Sequence, residues 1–190
     1  MSLPISQAAP RAKPDMVEGQ AIRLNLGGRN RPISGFKLVD LYEGPEVDIR
    51  SDCSDLSMFE DGSVSEIYAS HILEHWSHTK TVDVLKEWRR VLKQKGKAFI
   101  SVPDFEAAIR VYNKVGFCEY VRNLLYGDQN YSLAFHYTCF TFPILAACLV
   151  KGGFEDVKRI HRMPYGIADC STNYDTVLKH PISINVEAIA

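Results

Sequence analysis

The residues of this sequence most able to move a proton lie in one short run, His71-Ile72-Leu73-Glu74-His75, with His78 just beyond it. A further imidazole, His136, sits in an aromatic-rich stretch with Tyr131, Phe135, Tyr137, Phe140 and Phe142. An imidazole with its ordinary pKa near 6.5 takes a proton from a hydroxyl at neutral pH. Imidazoles and carboxyls are also metal ligands. Plainer readings stand beside these. His75 would pack or cap locally, His71 would merely face a cleft, and the aromatics would pack an inserted segment instead of covering a pocket.

A second run suggests what such groups would act beside. Ile22-Arg23-Leu24-Asn25-Leu26 reads as an apolar strand that breaks into the Gly27-Gly28 turn. Phe36-Lys37-Leu38-Val39 reads as a second strand, ending in the carboxylate of Asp40. In an open α/β sheet, ligands bind beyond the carboxyl ends of the strands. Glycines there let the backbone approach a ligand closely, and an acid ending the next strand accepts hydrogen bonds from a ribose diol. A dinucleotide fingerprint would need G-x-G-x-x-G opening a helix. Here Arg29-Asn30-Arg31-Pro32 follows the glycines, and few residues remain before the second strand. The pattern points to a nucleoside-containing ligand without a pyrophosphate, or to a plain strand-turn-strand of any α/β protein.

Periodicity and punctuation predict the elements that position these residues. Val47-Asp48-Ile49 predicts a short third strand after the Gly44-Pro45 turn, and residues 64–69 a fourth. Val84, Leu85, Trp88, Val91 and Leu92 share one helical face. They predict a helix over 79–93, with Thr79 or Thr81 as its cap and Gly96 as a left-handed stop. Residues 97–102 predict a fifth strand stopped by Pro103. Asp104 suits the cap of a helix over 105–112, and a short helix then ends at Gly127. Thr141 and Pro143 open a helix to about Val150. Residues 154–160 predict a sixth strand, 161–181 a long loop, and Ile182, Ile184, Val186 and Ala188 a seventh strand. Strands interleaved with helices imply a mainly parallel sheet. With no helical crossover before it, the final strand is expected to be antiparallel. The stretch between Leu26 and Phe36 leaves room for one helical turn at most.

With 190 residues, 46% hydrophobic and 24% charged, the chain is expected to form one globular domain over 21–190. A loose arm at 1–20 carries Pro4, Pro10 and Pro14. The net charge of -1 gives no bulk pull toward nucleic acid or an anionic membrane. Cys53, Cys118, Cys139, Cys148 and Cys170 are scattered, with no C-x-x-C pair. This argues for reduced thiols in the cytoplasm and against a disulfide framework or zinc ribbon. The longest apolar stretch, around 140–150, is too short to span a bilayer, and the N-terminus lacks the apolar core of a signal peptide.

Taken in order, these segments resemble the class I S-adenosylmethionine-dependent methyltransferases. They look most like small predicted methyltransferases linked to surface-polysaccharide synthesis. Leu24-Asn25-Leu26-Gly27-Gly28 resembles the first motif and Leu38-Val39-Asp40 the acidic ribose motif. Asp52-Cys53-Ser54-Asp55-Leu56 resembles the adenine loop, and Ala69-Ser70-His71-Ile72-Leu73-Glu74-His75 the fourth-strand motif. Trp88-Arg89-Arg90-Val91-Leu92 with Gly96 resembles the helix before the fifth strand, and Gly152-Gly153-Phe154 the lead into the sixth. The resemblance implies an α/β fold with a three-layer, Rossmann-like sheet of seven strands, the last antiparallel and the first helices trimmed.

It also implies S-adenosylmethionine as cofactor, held by Asn25, Leu26, Gly27, Gly28, Arg29, Asp40, Leu41, Asp52, Cys53 and Ser70. Asp40 would hold the ribose hydroxyls and Asp52 the adenine amino group. Methyl transfer is an in-line displacement that mainly needs the reactants held about 3 to 3.5 Å apart. A base is needed only for a poorly acidic acceptor. The expected activity is methylation of a small-molecule or sugar-like acceptor, most simply at oxygen, with His71, His75 and His136 as catalytic candidates.

Alternatives remain open. Arg29 stands where the first motif usually closes with a glycine. There it would crowd the donor's methionine end or pair with its carboxylate, and on it rests a second reading as a catalytically silent binding module. Certain small-RNA 2′-O-methyltransferases bind a metal through E-x-x-E-H and a later histidine. His71, Glu74, His75 and His136 sit at comparable positions, which gives a metal-assisted alternative; no metal ligand is assigned here. H-x-x-E-H is also the spelling of the inverted zinc-peptidase motif. That site needs both histidines on one helical face, and this run follows directly on a strand.

Overall fold

A computed structural model of the chain describes residues 21–174 and 178–190; the expected arm at 1–20 lies outside them. Seven strands form one sheet: β1 (Ile22–Leu26), β2 (Lys37–Asp40), β3 (Ile49–Arg50), β4 (Val64–Ser70), β5 (Leu92–Pro103), β6 (Glu155–Arg159) and β7 (Ser183–Ile189). Their spatial order is β3-β2-β1-β4-β5-β7-β6. The first five pair in parallel, and β7 runs antiparallel to β5 and β6. The order reverses between β1 and β4, so the carboxyl ends of these central strands flank the crevice where such sheets bind ligands.

Strand alternation gives the two faces of the sheet different coverings. Leu24 and Leu26, Ile67 and Ala69, Ile100 and Val102, and Ile184 and Val186 point into one continuous apolar core. Their neighbours, including Asn25, Tyr68, Ser101, Ser183 and Asn185, are buried but polar. Helices cover the first face. Loops cover the second, where Ile33, Phe36 and Met163 pack on Tyr68 and Phe99. The segment from Gly27 to Phe36 holds turns only, closed by Arg31 N–H to the Gly28 carbonyl and Phe36 N–H to the Ile33 carbonyl. This is the expected trimming of the first helix.

Four helices follow: α1 (Thr81–Val91), α2 (Phe105–Val115), α3 (Glu119–Tyr126) and α4 (Phe142–Lys151). α1 buries Val84, Leu85, Trp88 and Val91 and packs beside α4. It also grips the loop after β3. Trp88 Nε1–H donates to the Cys53 carbonyl at 2.8 Å, and Glu87 accepts from Leu56 N–H at 2.9 Å. Arg90 donates to the carbonyls of Leu56 and Phe59. A helix on one side of the sheet thereby fixes a loop at the binding end of the other strands.

Several boundaries differ from expectation. α1 starts after Lys80 with no side-chain cap; Thr81 lies inside it and donates to the Ser77 carbonyl, while the Thr79 hydroxyl pairs with that of Ser77. It ends at Val91 because Leu92 turns extended and pairs with Val64. The left-handed residue beyond it is Lys95, at φ 62°, not Gly96. Gly96 is instead a packing glycine: a Cβ there would come 2.9 Å from the Lys93 carbonyl oxygen. Asp104 does cap α2, accepting from Glu106 N–H at 2.9 Å. The 161–181 loop carries two 3₁₀ turns, Pro164–Gly166 and Cys170–Thr172. Among the described residues, no helix is long and apolar enough to cross a membrane.

Candidate active site

A cavity of about 630 Å³ opens at the carboxyl ends of β1 and β4. Three parts of the chain wall it: Gly27, Arg29 and Arg31 after β1; Ser70, His71, Glu74 and His75 after β4; and Leu124, Asp128, Tyr131 and His136 from α3 and the segment beyond. Its size falls in the range of pockets that enclose a drug-sized ligand.

The glycine turn is built for close packing. Gly27 has φ 67° and donates to the Val39 carbonyl at 2.9 Å. A Cβ on Gly27 would overlap Ile72, and one on Gly28 would meet Asn25 and Leu38. The space a side chain would need is filled by protein, so these glycines draw the turn against β2 and the run after β4. Asp40, 9% exposed, locks the turn. Its carboxylate accepts from Arg29 N–H at 2.8 Å and from Tyr42 N–H at 2.7 Å. Each oxygen keeps a second lone pair. Arg29 is itself left-handed, at φ 53°, and its guanidinium lies 4.9 Å from the Tyr42 ring centre and 4.6 Å from that of Tyr131. Arg29 thus links the turn to the segment on the far wall of the cavity.

The histidines meet on the other side. His71 leaves β4 at φ 52°, a conformation that costs a non-glycine residue of order 1–3 kcal/mol. Its backbone N–H holds the Ser101 carbonyl, and its Nε2 lies 2.8 Å from Ser183 Oγ. Ser183 Oγ donates to the Cys170 carbonyl, so it must accept from His71 Nε2–H. That network puts the His71 lone pair on Nδ1, which faces Glu74 Oε1 at 3.4 Å. His75 Nδ1 lies 2.9 Å from the Phe135 carbonyl and His136 Nδ1 lies 3.1 Å from the Leu124 carbonyl. A carbonyl accepts only, so both rings donate from Nδ1 and keep their lone pair on Nε2. His136 Nε2 is 3.8 Å from Glu74 Oε1. The His75 and His136 rings meet edge to face, 5.1 Å between centres.

Glu74 is wholly buried, and among the described residues neither carboxyl oxygen has a hydrogen-bond partner. Burial pushes its carboxyl up to about 8. Burial and then the neighbouring His136 push His71 down to about 3. Burial also lowers His75 and His136, against the carbonyls that hold their rings.

Backbone pairing of distant segments assembles this cluster. The Glu74 carbonyl accepts from Tyr137 N–H at 2.8 Å and Thr138 N–H at 3.3 Å, and Thr138 Oγ1 donates to the Trp76 carbonyl. His136 N–H donates to the Tyr126 carbonyl at 3.0 Å. Gly127 makes the fold-back possible, since at φ 76° its Cβ would lie 1.8 Å from the Ala134 carbonyl oxygen. Gly127→Ala is therefore expected to destabilise the protein by at least about 1–3 kcal/mol, the strain of a left-handed alanine before the collision is relieved. Urea unfolding measures it; a loss below about 0.5 kcal/mol would contradict this role.

Of the residues singled out in the sequence, Gly27, Arg29, Ser70, His71, His75 and His136 line the large cavity. Asn25 and Gly28 line a small recess beside it, and the Asn25 amide donates to the Arg31 carbonyl. Asp40 stands behind the turn. Asp52 accepts from the backbone and hydroxyl of Ser54, and the Cys53 thiol is buried toward the Val39 carbonyl. Leu26 lies in the core, and Leu41 is exposed. Sequence reasoning did not assign Tyr42 or Arg31 to the cavity. No pattern marks them, because only the turn geometry after β1 and β2 brings them there.

A family model described as a methyltransferase domain matches residues 37–100, from β2 to the middle of β5. That match spans about a third of the chain and takes in β2, β3, β4 and α1. No curated protein sequence matches it. Among solved structures, it is similar to an S-adenosylmethionine-dependent methyltransferase from Archaeoglobus fulgidus, with a TM-score of 0.57 and 15% identity over 90% of this chain and 87% of that one. It is also similar to the 1,6-didemethyltoxoflavin-N1-methyltransferase of Burkholderia thailandensis, whose structure holds S-adenosylhomocysteine. There the TM-score is 0.51, with 16% identity over 90% and 72% of the two chains. A third, a possible histamine N-methyltransferase from Thermotoga maritima, gives 0.53 with 16% identity over 88% and 81%. All three likenesses, at 15–16% identity, are likenesses of fold.

Proposed function

We propose that this methyltransferase acts on a hydroxyl of a small-molecule or sugar-like acceptor, seated between the glycine turn and the histidine cluster. The observation that carries this is one cavity lined both by Gly27 and Arg29 of the glycine turn and by His71, His75 and His136. The chain fits the donor. The cavity is large enough, the Asp40 oxygens keep lone pairs for ribose hydroxyls, and Arg29 brings a cation to the turn for the methionine carboxylate. Ser70, Leu41 and the loop at Asp52 and Cys53 would complete the cofactor wall, held in place by Trp88. When bound, S-adenosylmethionine supplies an already activated methyl group.

The chain's own residues then supply orientation and a proton acceptor. With the donor bound, the chain would hold the acceptor oxygen in line with the methyl group, so that the new C–O bond could form as the C–S bond breaks and the bonding pair leaves on sulfur. The hydroxyl proton passes to an imidazole lone pair, for which His136 Nε2 is held ready by the Leu124 carbonyl. His71, tied to Ser183, fixes the position of the cluster. Scattered thiols suit a reducing, cytoplasmic setting.

Calorimetry with S-adenosylhomocysteine tests the cofactor half, and transfer of labelled methyl to a panel of hydroxyl, amine and carbon acceptors tests the other. Labelling of amines or carbon alone would overturn the oxygen assignment. Asp40→Ala is expected to weaken S-adenosylhomocysteine at least about tenfold, because charge-assisted hydrogen bonds contribute roughly 1.5–3 kcal/mol each. Unchanged affinity would remove Asp40 from the site.

A further inference from the structure

With no helix after β1, the loop between β6 and β7 reaches back to the glycine turn. Where they meet lies a recess of about 20 Å³, lined by Gly27, Gly28, Arg31, Tyr68, Ser70 and Asp169. Gly27, Arg31 and Ser70 also line the large cavity, so the two spaces adjoin. A recess of this size holds about one water-sized group.

Its wall gathers acceptors around one buried acid. Asp169 is 7% exposed. Its Oδ1 accepts from the backbone and hydroxyl of Ser171, and its Oδ2 accepts from the Tyr68 hydroxyl at 2.6 Å. Oδ2 keeps a lone pair. The Tyr68 oxygen has given its proton, so it can only accept from a ligand. The buried Ser70 hydroxyl has no hydrogen-bond partner among the described residues. Arg31 stands on the same wall, yet no ion pair joins it to Asp169. Among the described residues, no other cation pairs with Asp169 either. Buried polar groups are normally satisfied, and a buried charge is costly without a counter-charge.

We propose that this recess seats the α-ammonium group of the methyl donor's amino-acid end, with Asp169 as its counter-charge and Arg31 as a partner of the adjoining carboxylate. The inference rests on the methyl-transfer reading for its ligand and adds the residues that read the zwitterionic end. An ammonium is water-sized, gives three hydrogen bonds and accepts none. The recess offers it Asp169 Oδ2, the Tyr68 oxygen and Ser70 Oγ. A ring is too large for the space, and an anion would meet Asp169. Water would satisfy the oxygens but leave Asp169 without a counter-charge. Arg31 lines both spaces, so together with Arg29 it serves a carboxylate in the large cavity while the ammonium enters the recess. The consequence is selectivity for donors with an intact amino-acid end.

Calorimetry on the full-length protein with three ligands tests this. They are S-adenosylhomocysteine, its deamino analogue (hydrogen for the ammonium, carboxylate kept) and 5′-methylthioadenosine, which lacks the amino-acid end. The wild-type protein is expected to bind the deamino analogue at least about tenfold more weakly than S-adenosylhomocysteine, since charge-assisted hydrogen bonds are lost. Asp169→Asn should weaken S-adenosylhomocysteine by a similar factor and leave the other two ligands within about twofold of wild type, the coupling expected of a direct contact. Arg31→Gln should weaken S-adenosylhomocysteine and the deamino analogue alike and spare 5′-methylthioadenosine. An Asp169 that merely holds Tyr68 and the turn at Ser171 would, when replaced, lower all three affinities together, and that result overturns the proposal. Wild-type S-adenosylhomocysteine affinity in either variant overturns it too. So does equal affinity of the wild-type protein for S-adenosylhomocysteine and its deamino analogue, a comparison that decides alone should a variant fail to fold. A wild-type protein that binds none of the three ligands would instead overturn the methyl-transfer reading.

Discussion

Replacing His136 with alanine is expected to slow methyl transfer by about 10²- to 10⁴-fold, the usual contribution of a positioned proton acceptor. S-adenosylhomocysteine affinity should stay nearly unchanged, because His136 comes from the segment beyond α3 and not from the glycine turn or the loops after β2 and β3. Its Nδ1 is held by the Leu124 carbonyl, its backbone N–H by the Tyr126 carbonyl, and its Nε2 lies 3.8 Å from Glu74. Single-turnover rates with the acceptor found in the panel provide the measurement. A rate within about tenfold of wild type would remove His136 from the chemistry.

Trp88→Ala is expected to destabilise the fold by about 3–5 kcal/mol, the usual cost of truncating a buried tryptophan. Trp88 is wholly buried in the main core, stacks edge to face with Trp76, and donates to the Cys53 carbonyl. The variant leaves a cavity and also strands that carbonyl, so the loop after β3 should loosen. Denaturant unfolding should show a lower midpoint with an unchanged slope. A loss below about 1 kcal/mol would mean that the loop is held by Glu87 and Arg90 without Trp88.

Much of the scaffold was legible because its signals are local. The alternation in Ile182, Ile184, Val186 and Ala188 marks β7, and the missing crossover before it explains its antiparallel course. The apolar face of Val84, Leu85, Trp88 and Val91 marks α1, and Asp104 and Gly127 cap where their types suggest. The end of α1 was not legible. Leu92 continues the helical period, but pairing with Val64 draws it into the sheet. Propensity yields there to a contact far away in sequence.

The site follows the same division. Gly27, Asp40 and His71 stand at strand ends, where the topology alone places them beside the crevice. The meeting of Glu74 with His136 depends on Tyr137 and Thr138 pairing with the Glu74 carbonyl, and no local pattern encodes that. The stacking of Arg29 between Tyr42 and Tyr131 is likewise a contact between three separate loops. The acidic character of Glu74 was visible, but its complete burial was not, and burial is what pushes its carboxyl up to about 8.

If the proposed reaction is right, one cavity holds both the methyl donor and the acceptor. A crystal structure with S-adenosylhomocysteine tests it most directly. The ribose hydroxyls are expected at Asp40 and the sulfur between Gly27 and Ser70, facing His71, His75 and His136. S-adenosylhomocysteine bound elsewhere, or bound with its sulfur turned away from the histidines, would contradict it.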